Sequence, residues 1–440
     1  MKLTVIGCGY LGATHAACMA ELGHEVLGMD TDADKVAALN SGAAPFHEPG
    51  LDELLARHTG TGRLRFTTSY PEAAAFGDLH FIGVGTPLRA DGRSYDLSHL
   101  FTAVSELAAH LDRPAVVTVK STVPVGTAHR VRDLVHTDAP AGTSVQVAWN
   151  PEFLRQGHAV GDTLRPERLV LGVDTAGSTA ETVLRQCFAE LADAGTPVVV
   201  TDLPTAELIK SAANAFLATK ISFINAMAEL CEATGADVYR LAHALGHDSR
   251  IGWGALRPGL GYGGGCLPKD VRGFRAGAAE LLGAERGLAF LDEVDAINIR
   301  RRERVVEIVR EQCDGTVAGR RITVWGAAFS PGTDDIRDSP ALAVAQALHR
   351  LGARVTVTDP RALDNTRKAR PELSCADDPV AAAEGAEVLL HLTEWPQFAA
   401  LDPARIAARV ARPVLVDGRG TLDADRWRAA GWTVRAPGRP

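Results

Sequence analysis

Short apolar runs alternate with stretches of helical spacing over the first part of the chain. The run 2–6 (KLTVI) leads through glycines into a helical stretch that ends near Leu22, and a second run, 25–29, ends at Asp30. A strand, a helix and a second strand in this order are typical of a parallel βαβ unit. Further strand-like runs lie at 79–84, 115–120, 145–149 and 197–201. This alternation predicts a doubly wound parallel sheet.

The hydrophobic pattern changes in the middle of the chain. From about Thr205 to Ala233, apolar and small residues recur at helical spacing and no Pro or Gly interrupts them. This run predicts one helix that is longer than the globular average. Helical spacing returns over 290–312.

Near residue 320 the first pattern recurs, with a helix expected from Ser339 to Leu351 and strands at 321–325, 354–358, 387–391 and 413–417. The tail beyond Arg435 is expected to fray. The pattern predicts an α/β fold in which two Rossmann-like, doubly wound parallel-sheet domains are joined by a long central helix. The expected domain boundaries are 1–202, 203–312 and 313–440.

Composition narrows the functional classes. The 440 residues carry a net charge of −8, which argues against general nucleic-acid binding. Seven cysteines without a Cys-x-x-Cys pair indicate neither a disulfide framework nor a zinc site, so no metal is expected and a reducing compartment fits best. No run of about 18 apolar residues and no leader pattern is present, so we expect a cytoplasmic protein without a membrane span.

The loop after the first strand has the pattern of a dinucleotide-binding site. Gly7, Gly9 and Gly12 follow a strand and open a helix, and Asp30 ends the next strand. The three glycines permit a tight turn, close approach of a pyrophosphate and close packing of helix on strand. Asp30 would accept hydrogen bonds from ribose hydroxyls and repel a 2′-phosphate, which favours NAD over NADP. The alternatives are a plain βα turn for the glycines and, for Lys35, a solvated helix charge instead of a ribose contact.

A second glycine-rich loop, 259–265, precedes Cys266, Lys269 and Asp270. Glycines here permit a ligand to approach the backbone closely. A cysteine beside a basic residue in such a loop is a candidate nucleophile, whereas a small buried cysteine is the ordinary alternative. We prefer that alternative for the six other cysteines.

The stretch 262–270 (YGGGCLPKD) resembles the cysteine motif of the UDP-glucose/GDP-mannose dehydrogenase family. That motif is an aromatic residue, two glycines, a small residue, Cys and then Pro-Lys-Asp. The similarity extends from Met1 to beyond Asp359, and four further segments agree: KSTVPVGT at 120–127, NPEFLRQG at 150–157, ELIKSAANAFLATKISFINA at 207–226 and GTDDIRDSP at 332–340.

The resemblance implies an NAD-dependent dehydrogenase that oxidises a nucleotide sugar twice, from alcohol to carboxylate. Cys266 would add to the intermediate aldehyde, and the resulting thiohemiacetal would be oxidised to a thioester and hydrolysed. Lys210 and Asn214, four residues apart on the predicted helix, would stabilise the oxyanion, although an ion pair of Lys210 with Glu207 is the alternative. Further catalytic roles are expected for Asp270 as base or water-orienting group, Thr122 as holder of a water and Glu152 beside it, against a turn hydroxyl for Thr122 and a helix-start carboxylate for Glu152.

By the same resemblance, the three predicted domains bind NAD, form the dimer and active site, and bind the nucleotide sugar. The expected cofactor residues are Gly7, Gly9, Tyr10, Leu11, Gly12, Asp30, Lys35, Thr86, Thr122, Glu152, Lys269 and Arg337. The expected substrate residues are Glu152, Phe153, Leu154, Lys210, Asn214, Arg250, Tyr262, Gly263 and Cys266. A homodimer is expected through the central helix, with Arg250 reaching the neighbouring subunit's sugar site unless it is only a surface charge.

Two positions depart from the family pattern. Gln156 replaces a usual Glu, and Ser330 replaces a frequent Lys. UDP-glucose is the first expected substrate, with a thymidine-diphosphate sugar and GDP-mannose as alternatives. A single-step hydroxyacid dehydrogenase and a non-catalytic nucleotide-sugar sensor remain alternative functions, and neither needs Cys266.

Overall fold

The computed structural model describes residues 1–439 and divides into two compact units. The first unit comprises Met1–Ala213 with Ala276–Gly283. The second comprises Asn214–Arg275 and the described residues from Ala284 onward. None of the helices in residues 1–439 combines the length and hydropathy needed to cross a lipid bilayer.

The first unit is built on an eight-stranded sheet, as far as the described residues go. Its order is β3-β2-β1-β4-β5-β6-β7-β8, and β7 is antiparallel to β6 whereas the other neighbours are parallel. Both sheet faces are buried, which explains why the strands are nearly continuous apolar runs. The strands are β1 (Lys2–Ile6), β2 (Glu25–Met29), β3 (Leu64–Thr67), β4 (Leu79–Ile82), β5 (Ala115–Val119), β6 (Val145–Trp149), β7 (Leu169–Val173) and β8 (Val198–Thr201).

The second unit contains a six-stranded sheet among its described residues. The order is β11-β10-β9-β12-β13-β14, and every neighbouring pair is parallel. Its core combines strand residues with four buried tryptophans, Trp325, Trp395, Trp427 and Trp432. The strands are β9 (Arg321–Trp325), β10 (Arg354–Thr358), β11 (Ser374–Cys375), β12 (Val388–His391), β13 (Val414–Asp417) and β14 (Thr433–Arg435).

Helices connect the strands of each sheet. Those of the first half are α1 (Tyr10–Glu21), α2 (Ala33–Asn40), α3 (Leu51–Gly60), α4 (Tyr70–Phe76), α5 (Ser98–Ala108), α6 (Thr127–Asp138), α7 (Ala159–Leu164), α8 (Thr179–Cys187) and α9 (Ala189–Asp193). The remainder are α10 (Leu203–Thr234), α11 (Val238–Gly246), α12 (Leu267–Leu282), α13 (Phe290–Gln312), α14 (Pro340–Arg350), α15 (Leu363–Ala369), α16 (Pro379–Ala382), α17 (Pro396–Ala399), α18 (Pro403–Ala407) and α19 (Ala424–Ala429).

The long helix α10 has clear start and stop signals. Asp202 accepts hydrogen bonds from the backbone N–H and the hydroxyl of Thr205, which caps the first turn. Pro204 lies in that turn, where its missing N–H costs nothing. The helix ends before Gly235, whose φ of +73° suits a residue that follows a helix.

The predicted fold class is confirmed: two Rossmann-like sheets are present, and one 32-residue helix runs between their sequences. Four short strands, β3, β7, β11 and β14, escaped prediction. For residues 436–439 the expected fraying is wrong, and Pro440 lies outside the described residues. Gly438 donates its backbone N–H to Glu232 and accepts one from Val238, and the guanidinium of Arg439 lies over the ring of Tyr239.

Candidate active site

The loop after β1 has the geometry that its glycines predict. Gly7 adopts a φ of +86° and donates its N–H to the carbonyl oxygen of Met29 at 2.8 Å. A Cβ on Gly12 would overlap the carbonyl oxygen of Gly7. A Cβ on Gly9, in contrast, would meet no other atom of the described residues within 4 Å. Gly7 and Gly12 are therefore needed by the fold, whereas Gly9 leaves open space in front of the N-terminus of α1.

Asp30 lies at the end of β2 beside that space. Its carboxylate accepts the backbone N–H of Cys8 at 2.8 Å and forms an ion pair with Lys35 at 2.9 Å. Lys35 is therefore not merely a solvated helix charge. A groove of about 350 Å³ runs past both side chains, lined also by Thr31, Tyr70 and His99. Its size and its acidic floor fit the adenosine half of a dinucleotide.

Other expected cofactor residues lie nearby in the first unit. The ring of Tyr10 packs against Phe46, with 4.8 Å between centroids, and its hydroxyl accepts the N–H of Gly157 at 3.1 Å. Leu11 is half-buried. The hydroxyl of Thr86 donates to the carbonyl oxygen of Thr122 at 2.7 Å, which ties the segments after β4 and β5 together.

Glu152 is held in a loop after β6, so the alternative of a helix-start carboxylate is wrong. One carboxylate oxygen accepts the N–H groups of Phe153 and Leu154, and the other lies 3.1 Å from the Nζ of Lys120. Burial opposes its ionisation, but the charge and hydrogen bond of Lys120 and the two backbone donors outweigh burial and hold the pKa of Glu152 below its ordinary value.

Lys210 does not form the alternative ion pair with Glu207. The carboxylate of Glu207 instead accepts the N–H groups of Gly126 and Ala128 at the start of α6. The Nζ of Lys210 lies 5.4 Å from the ring centroid of Phe153, over whose ring Arg168 also stacks at 3.9 Å. Burial raises the pKa of Glu207 to about 7 despite those backbone donors.

Cys266 is exposed and stands immediately before α12 in the second unit. Its carbonyl oxygen accepts the N–H of Asp270, so the thiol lies at the N-terminus of a helix. A Cβ on Gly265 would overlap the guanidinium of Arg337, and one on Gly263 would overlap the carbonyl oxygen of Asp338. Glycine at 263 and 265 thus lets the loop that carries Arg337 and Asp338 pack closely against the segment before Cys266.

Arg337 lies beside this cysteine loop. Its guanidinium forms three hydrogen bonds with Asp335, the shortest 2.6 Å. The bonds to Asp335 and the proximity of Cys266 outweigh burial and hold the pKa of Arg337 above its ordinary value. The expected contact of Arg337 with the cofactor would have to use its remaining N–H donors.

Asp270 is buried and accepts two hydrogen bonds from predicted site residues. Asn214 donates its side-chain N–H₂ at 2.6 Å, and the Nζ of Lys269 lies 2.8 Å from the other oxygen. Tyr262 is buried in a small apolar cluster with Ala218, so its ring supports the loop. Arg250 is 87% exposed and pairs with Asp248 at 2.6 Å.

Lys120, Asn150 and Glu207 were not among the predicted functional residues. Lys120 and Asn150 are the first residues of the segments KSTVPVGT and NPEFLRQG. Their position directly after apolar strands was the signal that could have marked them as site residues. The described residues hold no cluster of three or more His, Cys, Asp or Glu side chains placed to bind a metal ion.

Family models match most of the chain. Residues 1–192 match the NAD binding domain of the UDP-glucose/GDP-mannose dehydrogenase family, 204–300 its central domain and 323–424 its UDP binding domain. The boundaries of these matches leave only short connecting segments and the last residues of the chain outside the family models.

Individual relatives agree with the family models. The UDP-glucose 6-dehydrogenase of Rhizobium meliloti is 43% identical over 440 residues, covering 100% of both chains. The UDP-glucose 6-dehydrogenase of Haloferax volcanii is 43% identical over 427 residues, covering 95% of this chain and 96% of the relative. The solved UDP-glucose dehydrogenase from Pyrobaculum islandicum superimposes with a TM-score of 0.90 at 37% identity, covering 100% of this chain and 98% of that one. The chain therefore belongs to the UDP-glucose/GDP-mannose dehydrogenase family and is an NAD-dependent dehydrogenase of that family.

Proposed function

We propose that this enzyme oxidises UDP-glucose twice at the same carbon, giving UDP-glucuronate and two NADH. One observation carries the proposal: Cys266 is exposed at the N-terminus of α12, four residues before the buried and doubly hydrogen-bonded Asp270. A single-step dehydrogenase needs no nucleophile at such a place. The names of the relatives in Rhizobium meliloti and Haloferax volcanii support the choice of sugar nucleotide.

NAD fits the groove of the first unit. The open space at Gly9 would admit the pyrophosphate, with the N-terminus of α1 facing its charge. Asp30 and Lys35 would meet the adenosine ribose. We assign the further cofactor contacts to Tyr10, Leu11, Thr86, Thr122, Glu152, Lys269 and Arg337. Bound NAD supplies the hydride acceptor for each of the two oxidations.

In the first oxidation, the substrate hydroxyl must lose a proton as hydride leaves its carbon. Lys210 and Asn214 lie one turn apart on α10 and are proposed to stabilise the alkoxide. Asp270 would accept the proton. Its two hydrogen bonds, from Asn214 and Lys269, fix the orientation of the carboxylate.

In the second oxidation, the sulfur of Cys266 bonds to the aldehyde carbon and prevents the aldehyde from escaping. Loss of the second hydride from this thiohemiacetal leaves a thioester. Water held by Thr122 and Glu152 then hydrolyses it and frees the thiol. The remaining substrate contacts are assigned to Phe153, Leu154, Arg250, Tyr262 and Gly263.

In the proposed organisation, segment 1–202 binds NAD, 203–312 carries the dimer face and most catalytic groups, and 313–440 binds the nucleotide.

Counting NADH per sugar tests the reaction. The enzyme is mixed with limiting UDP-glucose and excess NAD, and absorbance of NADH is followed to completion. Two NADH per UDP-glucose supports the proposal, one indicates a single-step dehydrogenase, and none indicates a sensor. The same assay with TDP-glucose and GDP-mannose identifies the nucleotide sugar.

A homodimer is proposed through α10. Phe216, Phe223 and Leu230 follow each other at intervals of seven residues, and each is at least half exposed. Such a stripe on a helix is the pattern of a helix–helix contact. Phe223→Glu should convert the dimer into monomers in light scattering, whereas Leu351→Glu, which changes an exposed leucine at the end of α14, should not.

Arg250 is proposed to act in the partner's site, because its guanidinium is largely exposed and pairs with Asp248 on its own chain. Mixing inactive Arg250→Ala and Cys266→Ser subunits would then create dimers with one intact site. About a quarter of wild-type activity should return if subunits exchange randomly. Failure of activity to return in exchanged dimers would contradict a role in trans.

The thiol chemistry also requires a reducing compartment, for which we propose the cytoplasm.

A further inference from the structure

Lys120 is a buried cation at the end of β5, with only 5% of its surface exposed. Lysine is almost never buried to this extent unless it is paired. Its Nζ donates to the side-chain oxygen of Asn150 at 2.8 Å and lies 3.1 Å from a carboxylate oxygen of Glu152. The ring of Phe81 covers it from another side, with 5.9 Å from Nζ to the centroid.

The strand pairing brings this group together. β5 and β6 run parallel, with Val119 opposite Trp149, so Lys120 and Asn150 leave the sheet at the same edge. The amide N–H₂ of Asn150 donates to the carbonyl oxygen of Val170 at 2.9 Å. That bond turns the amide oxygen toward Lys120 and fixes where the ammonium group lies.

Glu152 has one acceptor position left after its internal contacts. An ionised carboxylate offers about four lone-pair positions. The N–H groups of Phe153 and Leu154 use two on one oxygen, and Lys120 uses one on the other. The side chain is 18% exposed, so the remaining position can reach a bound molecule.

Few other charges surround this pair. Cys18 on α1 interacts electrostatically with Glu152, and His15 on the same helix and Cys187 at the end of α8 interact electrostatically with Lys120. Arg168 and Lys210 reach the neighbouring ring of Phe153. Burial and then Lys120 lower the pKa of His15, which keeps that ring neutral. Lys120 is thus the cation in direct contact with Glu152.

We propose that Lys120 is a positioning residue: it keeps Glu152 ionised and aims its remaining acceptor at the water that hydrolyses the Cys266 thioester. This inference rests on the proposed function. In that step the water oxygen bonds to the acyl carbon and the carbon–sulfur bond breaks. The electron pair and one proton go to the sulfur, and the other proton leaves as the product ionises to a carboxylate.

The kinetic test compares Lys120→Met with Lys120→Arg, which keeps the charge. Arg132→Met, which removes a partly exposed cation paired with Asp174, is the matched control. In Lys120→Met, we expect a first burst of two NADH per site, followed by turnover slowed about tenfold or more at pH 7. The acidic limb of its kcat profile should move up by at least about one pH unit, because Glu152 has lost the charge that favours its ionised form. Lys120→Arg should restore the limb, and Arg132→Met should match the wild type. A Lys120→Met profile that superimposes on the wild type would overturn the proposal.

A second measurement needs no substrate, so it separates failure of this inference from failure of the proposed function. Thermal unfolding is followed for Lys120→Met, Glu152→Gln and the double variant. Lys120→Met should lower Tm more than the double variant does, because it leaves a buried carboxylate unpaired. Additive losses would show that the two side chains are not coupled and would overturn the proposal. If the coupling is found but the wild type makes no NADH from UDP-glucose, the proposed function fails and the Lys120–Glu152 pair stands as a positioned acceptor for another reaction.

Discussion

Each of the two Rossmann-like sheets has a glycine loop after its central strand, β1 or β9, but the two loops differ in what surrounds them. In the first sheet, Gly7 donates its N–H to Met29, and in the second Gly326 donates to Thr358, both at 2.8 Å. Each loop is followed by an aspartate at the end of the next strand, Asp30 in one and Asp359 in the other. A positive φ occurs at both first glycines, +86° and +117°.

The difference lies in what the aspartate contacts. Asp30 accepts one N–H from its loop and keeps an ion pair with Lys35 beside an open groove. Asp359 accepts the N–H groups of Ala327 and Ala328 and the indole N–H of Trp395 at 3.0 Å. The carboxylate of Asp359 is thus occupied by hydrogen bonds from its own domain. A βαβ loop with a terminal acid is therefore insufficient for a dinucleotide site.

The second unit contributes chemistry instead. Its exposed thiol, Cys266, and its buried carboxylate, Asp270, belong to the segment before and within α12 rather than to the sheet loop. If Asp30 binds the cofactor and Cys266 carries the chemistry, replacing Asp30 should change cofactor affinity and replacing Cys266 should change turnover.

The largest expected effect follows from Cys266→Ser. Net formation of the acid should fall by roughly 1,000-fold or more, because a serine hydroxyl is a much weaker nucleophile than a thiolate. The Kd for NAD should stay within about twofold, because the cofactor groove belongs to the first unit. Kinetics and NAD titration are the measurements, with Cys375→Ser as the control. Full turnover by Cys266→Ser would contradict the assigned role.

Replacing the two aspartates should produce opposite results. Asp359→Ala should lower the free energy of unfolding by about 3 kcal/mol, because it leaves several buried donors without an acceptor. NAD affinity should not change. Asp30→Ala should weaken NAD about tenfold and destabilise the fold less. Urea unfolding and NAD titration of both variants separate these outcomes. Equal effects on NAD affinity would refute the distinction between the loops.

Buried acids should make the units respond differently to pH. Burial raises the pKa of Glu207 and of Glu48 to about 7 each, so the folded protein binds more protons than the unfolded chain between about pH 4.5 and 7. Stability should therefore fall as pH rises through that window. Asp417 in the second unit has the opposite shift: burial opposes its ionisation, but hydrogen bonds from His391 and backbone groups hold its pKa below the ordinary value. Its contribution is lost only below about pH 4.

The matched variants are Glu207→Gln and Asp417→Asn. Glu207→Gln should reduce the loss of unfolding free energy between pH 5 and 8 by about 2 kcal/mol, whereas Asp417→Asn should leave that slope unchanged. Urea unfolding at a series of pH values measures both. An unchanged slope in Glu207→Gln would remove this carboxylate as a source of the pH dependence.

The smallest expected effect makes the first loop resemble the second. Counting from the shared first glycine, Gly9 corresponds to Ala328. Gly9→Ala should fold normally, since a Cβ there meets open space, but should weaken NAD about tenfold by filling the path of the pyrophosphate. Ala328→Gly, the reverse change, should not alter NAD affinity. Unchanged NAD binding by Gly9→Ala would place the pyrophosphate elsewhere.

Sequence patterns predicted those parts of the molecule that depend on neighbours along the chain. Strands such as β1 and β9 matched their predicted bounds because they are buried on both faces and read as plain apolar runs. β3 was missed because it alternates buried and exposed residues over only four positions. β7 was missed because it follows a charged segment and enters the sheet antiparallel.

The site followed the same rule. Glycine loops, Asp30 and Cys266 could be predicted because their motifs are local. The pairing of Lys120 with Glu152 depends on the parallel register of two strands. One hydrogen bond to the carboxylate of Asp359 comes from Trp395, 36 residues away. Such contacts are set by tertiary packing, which local patterns along the chain do not specify.

The most direct test of the thioester account is a rapid acid quench during the first turnover of Glu152→Gln, whose hydrolysis step should be slow. After digestion, mass spectrometry of the peptide containing Cys266 should show a covalently attached UDP-glucuronyl group. The contradicting result is an unmodified Cys266 peptide at every time point while two NADH per sugar accumulate.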